Sequence, residues 1–174
     1  MRLAPIPLFF FSNEEQTLHY SGESSRTTHG HPETVFASRL FGRMLFLALS
    51  GKSKEEILFG TIPEPGAPDN IQQIASCAYK DKMESEIEST FFAGKCLEAV
   101  LCCFWHTGNF REAVLKAANL GGDADSTACV CGQIAGAYYG YDDIPKSWIE
   151  NLVKRGMIID MADRLYWCRN LQKT

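Results

Sequence analysis

The chain has 174 residues, enough for one domain, and its 45% hydrophobic and 22% charged residues are typical of a folded globular protein. Lys and Arg total 17 against 21 Asp and Glu, so the formal net charge is −4. A mildly acidic chain lacks the basic surface on which nonspecific nucleic-acid binding depends, and we expect no nucleic-acid partner. The charge balance still permits a small phosphorylated ligand held by a few local donors.

The seven cysteines are odd in number, form no C-x-x-C pair and lie mostly among apolar or small residues. This usage favours buried, reduced thiols in a cytoplasmic protein over a disulfide framework. The four histidines show no zinc-ligand spacing with the cysteines, so no zinc site is expected. Pro5 and Pro7 interrupt the apolar N-terminal run, and we therefore expect neither a signal peptide nor a membrane span.

Helix signals dominate the chain, and few segments alternate with the period of a strand. Ser12 with Glu15, and Ser53 with Glu56, have the spacing of a capping box. The polar stretch 21–31 is predicted to be a loop. The pattern predicts one all-α domain over 1–174, with helices over 13–20, 32–50, 54–60, 71–79, 90–105, 109–119, 126–139, 145–155 and 158–171.

The predicted helix 126–139 is rich in small residues on nearly every face. Gly132 and Gly136 each cost about 1 kcal/mol relative to alanine inside a helix. Close approach of a neighbouring helix is the expected compensation. Cys129 and Cys131 on the same helix are expected to lie in the core rather than to act as catalysts.

One cluster has the composition of a metal site, at the start of this helix. Asp123, Asp125 and Ser126 follow the Gly121-Gly122 pair, which permits a sharp turn. Their hard oxygen ligands suit Mg²⁺, Mn²⁺ or Ca²⁺. The alternative is that Asp125 simply caps the helix. A cap leaves Asp123 and the paired glycines unexplained, so both interpretations stay open on spacing alone.

The segment 24–31 is a second candidate, because it combines hydroxyl groups with Arg26, His29 and His31. Such side chains can hold a phosphate or a ribose. Taken alone, the composition favours a polar surface loop that leads into the helix at Pro32.

Several stretches together carry a family resemblance. NLGGDADST at 119–127 is followed by GQIAGAYYG at 132–140 and by Ile144-Pro145. With MRLAP at 1–5 and THGHPE at 28–33, in the same order, they resemble the ADP-ribosylglycohydrolase family. That family includes the dinitrogenase reductase-activating glycohydrolase and the ADP-ribosyl-acceptor hydrolases. The likeness extends over nearly the whole chain.

The resemblance implies an all-α fold with two Mg²⁺ or Mn²⁺ ions in a cleft. It also implies hydrolysis of the N- or O-glycosidic bond between ADP-ribose and a protein side chain or small molecule. By position, Asp123, Asp125 and Ser126 fall on metal ligands, with Ser126 where threonine is usual.

The resemblance further implies that His29, Thr28, Gly122 and Phe92 bind substrate. His29 falls on a histidine that lines the ADP-ribose pocket. Phe92 falls where many members carry a tyrosine near the substrate. The expected ligand is ADP-ribose or an ADP-ribosylated protein.

The chain also departs from the family pattern. The Gly-Asp-Ala-x-Gly and Thr-Asp-Asp-Thr segments, which supply the other metal ligands and the catalytic acid, do not occur in it. The chain therefore resembles the second half of such an enzyme, beginning at an internal methionine, and its catalytic residue is unknown. Three protein ligands can hold one Mg²⁺ but hardly a two-metal clamp, so we expect impaired hydrolysis.

Two alternatives to such a hydrolase follow. The chain could be a non-catalytic ADP-ribose-binding or structural module, or one half of a split enzyme completed by a separate N-terminal chain. A helical domain cut through its cleft would also expose an apolar face, and self-association is then expected.

Overall fold

The computed structural model describes residues 1–60, 62 and 64–171, with side chains as far as Cys168. Every regular segment in this part of the chain is helical, which confirms the predicted all-α class. Three short 3₁₀ turns cover Ala78–Asp81, Glu84–Glu86 and Tyr141–Asp143. The α-helices are α1 (Pro5–Phe9), α2 (Glu14–Arg26), α3 (Pro32–Leu49), α4 (Lys54–Phe59), α5 (Asp69–Ala75), α6 (Ala93–Trp105), α7 (Phe110–Asn119), α8 (Ala124–Tyr139), α9 (Lys146–Glu150) and α10 (Arg155–Leu171).

Helices α3 and α6 form the centre of the domain. Buried apolar side chains recur along α3 at helical spacing, and this helix packs against α1, α2, α4, α5, α6 and α8. In α6 every residue from Leu97 to Phe104 is buried. A helix that is buried all round lies in the core, and α6 therefore provides a fixed base for α7 and α8.

Helix α2 is longer than the sequence indicated. The predicted loop over 21–31 is wrong for its first part, because α2 continues to Arg26. Ser21 and Gly22 are buried against α3, where a Cβ on Gly42 would lie 2.2 Å from the Ser21 Oγ. Tertiary packing of these small residues outweighs their weak helix propensity. The N-cap is Asn13, whose side chain accepts from the Gln16 N–H, rather than Ser12.

Several other predicted boundaries hold, and two further helices end earlier than predicted. The Ser53–Glu56 capping box is present, and Gly51 has a φ of +74° just after α3. The predicted helices 71–79 and 145–155 instead end at Ala75 and Glu150. Cys77 and Lys154 have φ values of 64° and 60°, and a left-handed residue interrupts a helix at each place.

Helix α7 does approach α8 closely, as expected, but the two glycines of α8 are not what permits it. A Cβ on Gly132 or Gly136 would lie 3.7 Å from Val114 or Phe110, which is ordinary van der Waals contact. Helix α7 packs along α8, but an alanine would fit at either position. The packing of α7 against α8 therefore does not require glycine at positions 132 and 136.

The cysteines follow the prediction in part. None forms a disulfide within the described residues, and Cys102, Cys103 and Cys131 are buried. Cys129 is exposed, contrary to the expectation that it lies in the core. It occupies the solvent side of α8, because Val130 and Cys131 take the inward positions.

The buried Cys103 thiol is expected to make the protein less stable at alkaline pH. Burial raises the pKa of Cys103 from 9.0 to about 12. Between these values the unfolded chain releases the proton and the folded chain keeps it, so the free energy of unfolding falls as pH rises. One such group contributes a slope of about 1 kcal/mol per pH unit. Urea unfolding of the wild type and of Cys103→Ala from pH 8 to 11 should give a shallower decline for the variant. Equal slopes would contradict this assignment.

Helix α10 is the most exposed helix of the described chain. It packs mainly against α1, and Leu165 is its one half-buried residue among those up to Cys168. Met157, Ile158, Met161 and Trp167 present apolar side chains to solvent. Self-association through such a face stays a prediction. None of the described helices has the length and apolar content needed to cross a membrane.

Candidate functional site

A cleft of about 630 Å³ lies where four separate segments meet. Its walls come from within 1–3, 29–41, 91–97 and 123–130. These segments are the N-terminal residues, the start of α3, the start of α6 and the start of α8. Most of the chemical groups singled out in the sequence lie in or beside this cleft.

The Gly-Gly turn at one wall is held by backbone contact with Ser89. Gly121 and Gly122 have φ values of +74° and +59°, and the Asp123 N–H donates to the Ser89 carbonyl over 3.1 Å. A Cβ on Gly122 would lie 2.1 Å from that carbonyl oxygen. Gly122 does not line the cleft, so its role in binding substrate stays a prediction. What the geometry requires is the absence of a side chain there.

A buried hydrogen bond between two side chains fixes the start of α8. The hydroxyls of Ser89 and Thr127 lie 2.8 Å apart, and Thr127 is completely buried. Cys96 lies beside them, and burial raises the pKa of its thiol. The sequence did not indicate Ser89, because its partner Thr127 is 38 residues away and no local pattern links them.

The two aspartates occupy different positions. Asp123 is the N-cap residue of α8, but its side chain makes no capping hydrogen bond to the described chain. Asp123 and Ser126 both line the cleft, three residues apart on one side of the helix start. Asp125 is exposed in the first turn and does not line the cleft. The capping interpretation of Asp125 is therefore wrong, since the cap position belongs to Asp123.

These residues fit a hard divalent cation only in part. A carboxylate and a hydroxyl face the cleft, and both are oxygen donors that Mg²⁺ accepts. In the described part of the chain, no group of three or more His, Cys, Asp or Glu side chains is placed to hold a metal. The start of a helix carries partial positive charge, so a cation there depends on negative side chains. Asp125 is the other carboxylate of that first turn.

His29 also lines the cleft and lies in the loop between α2 and α3. Its Nδ1 lies 2.9 Å from the Thr28 Oγ1, and its backbone N–H donates to the Ser25 carbonyl over 2.7 Å. Thr28 does not line the cleft and instead touches the imidazole that does. The Arg2 Nη2 in turn donates to the Thr28 Oγ1 over 3.1 Å.

The start of α6 supplies aromatic and acidic groups. Phe91 and Phe92 are exposed at the cleft with ring centroids 4.5 Å apart, and they form an accessible aromatic surface. Glu33 accepts the Gly94 N–H over 3.0 Å and so joins the start of α3 to α6. Sequence reasoning gave no role to Phe91 or Glu33, although Glu33 belongs to the THGHPE stretch. Its contact with Gly94 spans 61 residues.

The cleft of this helical domain is lined by oxygen donors, imidazole groups and aromatic side chains from separate helices and loops. The model of the ADP-ribosylglycohydrolase family matches residues 1–173. The chain belongs to the ADP-ribosylglycohydrolase family.

Individual relatives agree with this assignment. The chain is 38% identical over 167 residues to the ADP-ribosylarginine hydrolase Tri1 of Serratia proteamaculans (strain 568), covering 96% of this chain and 45% of that protein. It is 28% identical over 155 residues to the ADP-ribosyl-[dinitrogen reductase] glycohydrolase of Rhodospirillum rubrum, covering 87% and 49%. The chain thus spans about half the length of these relatives.

A solved structure shows the same fold. It is described as an ADP-ribosylglycohydrolase-related protein complex, and its TM-score against this chain is 0.88 with 33% sequence identity. The match covers 97% of this chain and 59% of the solved one.

Proposed function

We propose that the cleft binds the ADP-ribose part of an ADP-ribosylated protein or small molecule together with Mg²⁺ or Mn²⁺. In this proposal the chain contributes to hydrolysis of the glycosidic bond that carries ADP-ribose. The observation that carries the proposal is that Asp123, Ser126, His29 and Phe92 line one cleft although they come from three distant segments. Membership of the ADP-ribosylglycohydrolase family supports the choice of ligand.

The cleft residues would share the parts of such a ligand. The His29 imidazole offers a polar contact to a phosphate or ribose oxygen. Phe91 and Phe92 offer faces on which an adenine ring can stack, an interaction worth about 1–3 kcal/mol per base. Stacking tolerates the loss of the hydroxyl that a tyrosine would carry at Phe92.

Asp123, Asp125 and Ser126 would hold the cation with their oxygen atoms, and water would complete its coordination. A bound Mg²⁺ would offset negative charge on the ligand and lower the pKa of a coordinated water. Asp123 and Asp125 are close in the chain and repel each other. A bound cation would relieve this repulsion, which favours cation binding even to the isolated chain.

Hydrolysis by this chain alone is expected to be slow. Among the described residues, Glu33 and Asp123 are the carboxylates that line the cleft. Glu33 is engaged with the Gly94 N–H, and Asp123 would be occupied as a metal ligand. Glu33 is then the one described carboxylate left in the cleft to act as general base for a water, and its Oε1 already accepts the Gly94 N–H. A carboxylate from a separate polypeptide would complete the site, as in a split enzyme.

Calorimetric titration of the purified chain with ADP-ribose tests the proposal. With Mg²⁺ we expect binding, and with excess chelator we expect the affinity to fall at least tenfold, because the oxygen donors alone would repel the diphosphate. His29→Ala should weaken binding in both conditions, while His106→Ala, outside the cleft, should bind like the wild type. Absence of binding in both conditions would refute the proposed function.

ADP-ribosylarginine is the first substrate to test, because the Serratia relative is named for its hydrolysis. Slow release of ADP-ribose with intact binding would agree with a chain whose remaining carboxylate is a poor general base. Tight binding with no release at all would favour the second candidate, a non-catalytic ADP-ribose-binding module. The occupied Glu33 is the observation that keeps this candidate open.

A further inference from the structure

The MRLAP and THGHPE stretches, far apart in the sequence, are joined by one guanidinium group. The Arg2 Nη2 lies 2.5 Å from the Thr27 Oγ1, 3.1 Å from the Thr28 Oγ1 and 3.2 Å from the Ser24 carbonyl oxygen. A guanidinium group can only donate hydrogen bonds. Both threonine hydroxyls therefore act as acceptors toward Arg2.

Each threonine hydroxyl still has its own proton to donate. The Thr27 hydroxyl donates to the Ser24 carbonyl over 2.8 Å. The Thr28 Oγ1 has one further neighbour in the described chain, the His29 Nδ1 at 2.9 Å. If Thr28 donates there, Nδ1 must be the unprotonated nitrogen of the neutral ring.

The other tautomer of His29, with the proton on Nδ1, is less favourable. An Nδ1–H group would make the Thr28 oxygen accept two hydrogen bonds, one of them from a cation. The Thr28 proton would then have no protein acceptor in the described chain and, because Thr28 is exposed, could be donated only to solvent. Polarisation along the chain of donors favours a single direction, from Arg2 through Thr28 to the ring.

We propose that Arg2 and Thr28 are positioning residues that hold His29 as the Nε2–H tautomer, so that the imidazole presents a hydrogen-bond donor to the cleft. The nitrogen that remains for a ligand then matches an acceptor oxygen, such as that of a phosphate or a ribose. This choice of ligand rests on the proposed function, whereas the tautomer does not.

The tautomer is measured without a ligand by ¹⁵N NMR of the imidazole nitrogens at pH 9, where imidazole is neutral in model peptides. His29→Gln identifies the His29 signals. In the wild type we expect Nδ1 to have the shift of an unprotonated nitrogen and Nε2 that of an N–H. Thr28→Val removes the hydroxyl and should return His29 to a mixture of tautomers. Thr28→Ser, which keeps the hydroxyl, should restore the wild-type spectrum.

Arg2→Met provides a second route if Thr28→Val does not fold. It frees the Thr28 oxygen to accept from the ring, and a shift toward the Nδ1–H tautomer is expected. An Nδ1–H tautomer in the wild type, or spectra unchanged by both Thr28→Val and Arg2→Met, would overturn the inference.

Calorimetry with ADP-ribose then measures the consequence for binding. Thr28→Val should weaken the affinity about tenfold, as expected for one misdirected hydrogen bond in a binding site. Thr28→Ser should stay within about twofold of the wild type. If the wild type binds no ADP-ribose, the proposed function fails, while the NMR result still decides the tautomer. Wild-type affinity in a Thr28→Val variant whose tautomer has changed would refute the role in ligand binding.

Discussion

Replacing Asp123 by asparagine is expected to abolish the thermal stabilisation that Mg²⁺ gives to this protein. For a site with a Kd of about 1 mM, about 10 mM Mg²⁺ stabilises the folded state by about 1.4 kcal/mol. In a chain of this length that corresponds to a rise in Tm of about 4 °C. Asp123 is the one cleft-lining carboxylate at the start of α8, and its side chain has no capping role in the described structure. Its loss should therefore remove the effect of the metal without loosening the helix.

The same substitution should have little effect on Tm in excess chelator, because it removes a repulsion with Asp125 and breaks no cap. Asp163→Asn is the matched control, since it makes the same change in charge on the exposed α10. Differential scanning calorimetry with and without Mg²⁺ measures both variants. A variant Asp123→Asn that still gains 4 °C from Mg²⁺ would exclude Asp123 as a ligand. Asp125→Asn, tested alongside, shows whether the exposed carboxylate belongs to the same site.

Gly122→Ala is expected to destabilise the domain strongly and to disturb the cleft. The new Cβ would lie 2.1 Å from the Ser89 carbonyl oxygen, which is backbone and cannot rotate away. Separation of the two segments would break the hydrogen bond from the Asp123 N–H and strain the buried Ser89–Thr127 pair. Overpacking and the positive φ together cost about 3 kcal/mol, or about 10 °C in Tm.

The adjacent glycine provides a matched control. Gly121 has a similar φ of +74°, but a Cβ there would meet no atom of the described chain within 4 Å. Gly121→Ala should therefore cost only the backbone term, about 1 kcal/mol or about 3 °C. Urea unfolding of both variants separates steric contact from backbone strain. Equal losses at the two positions would show that contact with Ser89 does not matter.

The sequence predicted the helices best where a capping residue or an amphipathic pattern within the helix itself defines them. The Ser53–Glu56 box and the start of the helix predicted over 109–119 were both correct, because each depends on residues within one turn, with Asn109 capping α7. The C-terminal part of α2 was missed, since Ser21 and Gly22 are helical only because α3 packs against them. Local propensity contains no information about that partner.

The same distinction between local and long-range information applies to the candidate site. Asp123, Ser126, His29 and Phe92 were singled out in the sequence, and all four line the cleft. Ser89 and Arg2 were not given roles, although Ser89 accepts the Asp123 N–H and Arg2 donates to Thr28, which contacts His29. Their contacts span more than 20 residues, and such pairs become visible only once the helices are packed.

The N-terminal segment also has a consequence for the order of folding. Leu3 is buried, and the Ala4 N–H donates to the Gln133 side chain on α8 over 3.1 Å, across 129 residues of sequence. The pairs α2–α3 and α7–α8 are neighbours in sequence and can form early as local hairpins. Closing the long loop costs about 2 kcal/mol more in chain entropy than closing one of ten residues.

Residues from both ends of that loop line the cleft, so the cleft is complete only once the loop has closed. A partly folded chain would contain most of its helices and still have no binding site. Ligand binding therefore selects molecules whose N-terminal segment has docked, and it would slow their unfolding rather than speed their folding.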